Sequence, residues 1–216
     1  MKYYQMLGLM LVVSLIGCKS AYYGAMEKVG INKRDIMVDR VKDARTSQDE
    51  AKETIKTTLE QFSAVVEIKS GDLEKTYKRL NDSFLETEAA VNEVHSRIAS
   101  IESVSGALFK EWKAEIKTYS NADLKRKSEA QLKDAQVRYE QMIKAMKTAS
   151  KQMDTVLVAF RDQVLFLKHN LNSAAISSIQ GEVVKIQSDV KRLIVDMEKA
   201  IAEADSFINN WQGSAN

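Results

Sequence analysis

ISSIQGEVVKIQSDVKRLIVDMEKAIAEADSFINNW, residues 176–211, decides the fold. Its apolar residues recur at alternating steps of three and four: Ile176, Ile179, Val183, Ile186, Val190, Leu193, Met197, Ala200, Ala204, Phe207 and Trp211. No polar residue interrupts the series. A hydrophobic repeat of 3.5 residues is the seam of a helix that packs knobs-into-holes on other helices.

The same rhythm appears three more times upstream. Residues 73–112 give Leu73, Tyr77, Leu80, Phe84, Thr87, Val91, Val94, Ile98, Ile101, Ser105, Leu108 and Trp112. An earlier run gives Met37, Val41, Ala44, Gln48, Ala51, Ile55, Leu59, Phe62 and Val66. A third gives Leu124, Leu132, Ala135, Tyr139, Met142, Met146, Ala149, Met153, Val156, Phe160, Val164 and Leu167. The last two contain four-four steps, which locally straighten a supercoil.

Turn chemistry separates the seams. Gly71 ends one helix, Asp72 caps the next and Glu74 sits in its first turn. Ser120 or Asn121 caps a third helix with Asp123 behind it, and Lys168 and His169 form its last turn before a cap at Ser173. These signals predict helices over 33–70, 72–119, 121–171 and 173–211. Such short turns make neighbours antiparallel, so the expected fold is all-α. It is a long antiparallel up-down-up-down four-helix bundle with coiled-coil packing. Gly106, inside the second helix, marks close helix approach or a kink.

Composition agrees. The 216 residues include no proline and only 8 glycines, so nothing breaks long helices. Lysine and arginine number 32 against 30 acidic residues. That balance argues against a dedicated nucleic-acid binder, which carries a basic excess on one face.

No reaction centre is visible. The two histidines, His95 and His169, sit beside seam positions, and neither follows a glutamate by three residues as di-iron bundles require. They read as solvated or turn-capping. Neither a Gly-x-Ser-x-Gly elbow nor a Gly-rich phosphate loop is present. Met142, Met146 and Met153 fall at seam spacing and read as core. The expectation is a non-enzyme without metal, cofactor or small-molecule substrate.

The N-terminus carries the most specific signal. One positive charge at Lys2 precedes an apolar stretch, Met6–Ile16, and then Gly17 and Cys18, the sole cysteine. A spanning helix needs roughly 20 apolar residues, so the run has the length of a signal peptide instead. Leu15-Ile16-Gly17-Cys18 resembles the bacterial lipobox, in which the cysteine becomes the acylated first residue. Residues 1–17 are then a removed signal peptide, 18–32 a lipidated start and tether, 33–211 the bundle and 212–216 a tail. Lys19, in place of an aspartate, favours the outer membrane, facing the periplasm.

Two regions suit a headgroup layer. Tyr22 and Tyr23 open the segment AYYGAMEKVGINKRDI, where Tyr22, Met26 and Val29 share one face of a short helix. The alternative is that this segment folds back and packs on the bundle. The turn near 120 is locally basic, with Lys125, Arg126 and Lys127, and has Trp112 nearby. A tether of residues 19–32, at most about 46 Å long at ~3.3 Å per residue, joins the lipid to that end.

YYGAMEKVGINKRDI, LFKEWKAEI, YSNADLKRKSEAQL and FRDQVLFLKHNLNSAAI, in this order, resemble an uncharacterised family of Gram-negative bacterial lipoproteins, a domain of unknown function. The resemblance covers residues 18 to about 210. It implies a helical fold and carries over no activity. The functional expectation is a membrane-anchored rod that binds an envelope protein or the cell wall. The alternatives are a carrier or sensor holding a lipid or other apolar ligand between its helices, and a DNA-associated coiled coil.

Overall fold

A computed structural model describes residues 22, 23, 26, 30, 32–67, 73–170 and 173–213. The signal segment, Cys18, Lys19, the Gly71–Asp72 turn and the last tail residues lie outside them. Among the described residues four long helices follow in chain order: α1 (Lys33–Glu67), α2 (Leu73–Ile116), α3 (Ala122–His169) and α4 (Ser173–Gly213). The described residues contain no strand. Each helix packs on two neighbours, α1 on α2 and α4, α3 on α2 and α4, closing an up-down-up-down square.

The eleven α4 seam residues are all buried, as their uninterrupted rhythm requires. In α1 the sequence reading needs correcting after Ile55. The buried residues are Thr58, Phe62 and Val65, while Leu59 and Val66 are only partly buried. The heptad therefore runs on without a four-four step, through a threonine. Thr58 occupies the core because its Oγ1 donates to the Ser83 carbonyl at 2.8 Å and lies 2.9 Å from the Thr87 hydroxyl. A buried hydroxyl with partners costs little.

The α2 seam shifts the other way at its C-terminal end, through a four-four step at Ile101, Ser105 and Phe109. Phe109 and Ile116 are buried, whereas Leu108 and Trp112 are partly so. In α3 the seam begins at Ser128, not at Leu124, which is 50% exposed. Towards the C-terminal ends of α1 and α3, Phe62 and Phe160 meet edge-on across the diagonal, with centroids 6.4 Å apart. The three methionines of α3 are fully buried.

Asn121 caps α3, its side chain accepting from Asp123 N at 2.9 Å and Leu124 N at 3.0 Å. Gly106 does not mark a close approach: a Cβ there meets no described atom within 4 Å. Gly106→Ala is therefore expected to stabilise the bundle by about 0.5–1 kcal/mol, since only helix propensity changes. Chemical denaturation measures it; a loss of stability would show that the α2 backbone needs the glycine.

Candidate functional site

Two side chains expected at a headgroup layer are committed to the protein. Tyr23 is buried and joins the core cluster, its hydroxyl 3.2 Å from the Ser103 Oγ of α2. Met26 packs against the same cluster. Val104, beside Ser103 and off the α2 seam, is fully buried as well. Tyr23 and Met26 thus lie on the bundle, and Gly30, with a positive φ of 84°, supplies a turn before α1. Tyr22 remains exposed, edge-on to Tyr23 at 5.3 Å.

Trp112 is the second. Its Nε1 donates to the Ser128 Oγ at 2.9 Å, tying the end of α2 to the start of α3. The indole is a clamp inside the hairpin rather than a free surface ring. Lys125, Arg126 and Lys127 lie just beyond it, Lys125 partly covered and the other two exposed. Arg126 pairs with Asp123.

The surrounding end of the bundle is tightly tied. Lys33 Nζ lies 2.7 Å from Glu111 Oε2. Arg34 donates to the Trp211 carbonyl at 3.1 Å, and its guanidinium stands 5.5 Å from the Trp211 ring centroid. A cleft of about 210 Å³ lies here among Asn32, Leu108, Glu115 and Trp211. Midway along the rod, a larger open trough of about 880 Å³ runs over α3 and α4, where Lys144, Lys147, Lys151 and Arg192 face one carboxylate, Asp189.

His95 is not merely solvated. Its Nε2 lies 2.8 Å from Asp154 Oδ1 and its Nδ1 3.1 Å from the Ser150 hydroxyl. Serine, histidine and carboxylate in series suggest a hydrolytic triad, but the setting differs. Ser150 is buried inside a continuous helix, whose backbone N–H groups are bonded within it. No donor pair is left there to hold an oxyanion. His95 is instead one rung of a ladder. Glu88–Arg161 (2.6 Å), His95–Asp154 and Glu102–Lys147 step by seven residues up α2 and down α3. Heptad-spaced pairs flanking a seam set the register of antiparallel helices. The spacing of these six residues was present in the sequence and was the signal to find them by.

Packing and pairing shift the pKa of Tyr139, Asp49 and its partner Lys52. Burial pushes the Tyr139 phenol up, beside the Phe109 ring at 5.5 Å. The hydrogen bond from Lys52 at 2.8 Å holds the Asp49 carboxyl below its ordinary value, and the same bond raises Lys52 above its own. Among the described residues no three His, Cys, Asp or Glu side chains converge as a metal site. No described helix is long and apolar enough to cross a membrane.

Fold and surface together define a class: an antiparallel four-helix coiled-coil rod with an N-terminal segment strapped to its side. Within that class, the chain belongs to the family described as "Protein of unknown function (DUF2959)", which matches residues 22–211. A search of curated proteins finds no match.

Proposed function

We propose that this protein is a lipid-anchored, non-catalytic rod of the bacterial cell envelope. It faces the periplasm, with the outer membrane favoured, and serves as a structural or protein-interaction module for an envelope protein or the cell wall. The observation that carries this reading is Leu15-Ile16-Gly17-Cys18, the only cysteine set directly after a short apolar run. A triacylated cysteine supplies more than one chain, which firm anchoring requires.

The docked segment adds to the reading. Tyr23 sits against α2, so five steps of chain separate Cys18 from a residue seated on the bundle. At ~3.3 Å per residue they reach about 17 Å, far less than the full stretch to α1 would allow. A short leash suits a rod whose orientation at the membrane matters.

The test is metabolic labelling with a fatty-acid analogue in cells making the wild type or Cys18→Ala. Label on the wild type alone, with the variant lost from the membrane pellet, is the expected result. An unlabelled wild type, or label retained by the variant, overturns the anchor.

A further inference from the structure

The α2–α3 hairpin outruns the rest of the bundle. Lys33, the first residue of α1, meets α2 at Glu111, five residues before α2 ends. Trp211 of α4 lies in a small cleft beside Gln131, Asp134 and Ala135, well past the start of α3 at Ala122. Trp112 and Glu115 still line the clefts that hold Trp211, so residues 116–127 project beyond Lys33 and Trp211, by roughly one turn, ~5 Å.

This projection is internally braced. The Trp112–Ser128 hydrogen bond clamps its base, Ile116 and Ser128 are buried between its arms, and Asn121 caps its second arm. Its apex is different. Tyr119 is 43% and Leu124 50% exposed, so the turn offers both to its surroundings. Around them stand five cations, Lys113, Lys117, Lys125, Arg126 and Lys127, against Glu115, Asp123 and Glu129. An aromatic and an aliphatic side chain ringed by lysine and arginine match the boundary between acyl chains and anionic headgroups.

We infer that the apex of the α2–α3 hairpin is a second membrane contact, one that inserts Leu124 and Tyr119 among anionic phospholipids. Tyr23 meets Ser103 of α2, the helix that leads into this hairpin. An anchor on the short leash and a tip on the same helix hold the rod at two points, so its attitude to the bilayer is fixed. The inference deepens the anchored reading and rests on it only for meeting a membrane in the cell.

The experiment removes the acyl group from the question. The mature chain, residues 18–216 carrying Cys18→Ala, is sedimented with phosphatidylglycerol/phosphatidylcholine vesicles and with phosphatidylcholine vesicles alone. Binding to the anionic vesicles at low salt, reversed at high salt, is expected, with little binding to the neutral ones. Lys125/Arg126/Lys127→Glu should weaken binding roughly tenfold or more, and Leu124→Ser should weaken it in the same direction. A charge-matched control, Lys144/Lys151/Lys199→Glu on the middle of the rod, should leave binding intact. All these positions are on the surface, so helix content by circular dichroism should not change. No binding by the parent, equal binding by the tip variant or equal loss in the control would each overturn the tip. Acyl labelling at Cys18 is read separately, so failure of the anchor and failure of the tip are told apart.

Discussion

Ile186→Asp is expected to remove most of the bundle's stability, while Val184→Asp, two residues earlier on the same helix, should leave it almost unchanged. Ile186 is 1% exposed in the cleanest seam, and Val184 is 66% exposed. Truncating a buried isoleucine costs about 2–5 kcal/mol through lost burial and the cavity left behind. A carboxylate placed there has no partner and adds its own desolvation cost. The loss should exceed about 4 kcal/mol, against a typical total of about 5–15 kcal/mol. For a chain of this size that lowers Tm by roughly 10 °C or more. The surface change should stay within about 0.5 kcal/mol. Similar melting curves for the two variants would mean that α4 does not pack through this seam.

Gln48→Met is expected to act in the opposite direction. Gln48 is 0% exposed on the α1 seam between Ala44 and Ala51, and neither its Nε2 nor its Oε1 has a partner among the described residues. A buried amide without partners costs about 1–3 kcal/mol. Methionine has nearly the same shape and adapts to irregular space. Because no partner is orphaned by the change, the desolvation cost is recovered. Stability should rise by about 1–3 kcal/mol, or roughly 3–8 °C in Tm. Gln48→Ala serves as the control and should destabilise, since it opens a cavity. Thermal denaturation of the three proteins decides the matter. A lower Tm for the methionine variant would show that the amide is hydrogen-bonded in solution, through bound water for example.

Gln48 and Thr58 show where reading by letter type fails. Both are polar and fully buried on one seam, yet hydrophobic spacing takes in Gln48 and passes over Thr58 for Leu59. Thr58 has two partners on α2, and Gln48 has none. Leu59 and Val66 looked like better core residues than Thr58 and Val65 on hydrophobicity alone. Helix geometry overruled that, because leaving the heptad rotates the buried face away from α2 and α4. Trp112 and Tyr23 carry a related lesson. Aromatic rings with a polar atom suit a headgroup layer and a packed joint equally well. Only the positions of Ser128 and Ser103 decided for the joint. Leu124 failed the other way: its spacing fits the seam, but α3 begins beyond the reach of α1 and α4.

By itself the sequence determined the helices, their ends to within a few residues, their antiparallel order and the whole α4 seam. Those features depend on local periodicity, capping and turn length, which a single chain displays residue by residue. The tertiary structure decided which residues face one another: the Glu88–Arg161, His95–Asp154 and Glu102–Lys147 ladder, the Thr58 layer, the docked Tyr23 and the overhang of the α2–α3 hairpin. Each depends on the axial register of two helices distant in sequence. A shift by one heptad keeps every seam buried but changes every partner, so periodicity alone leaves the choice open. Side-chain pairing and the unequal helix ends select it.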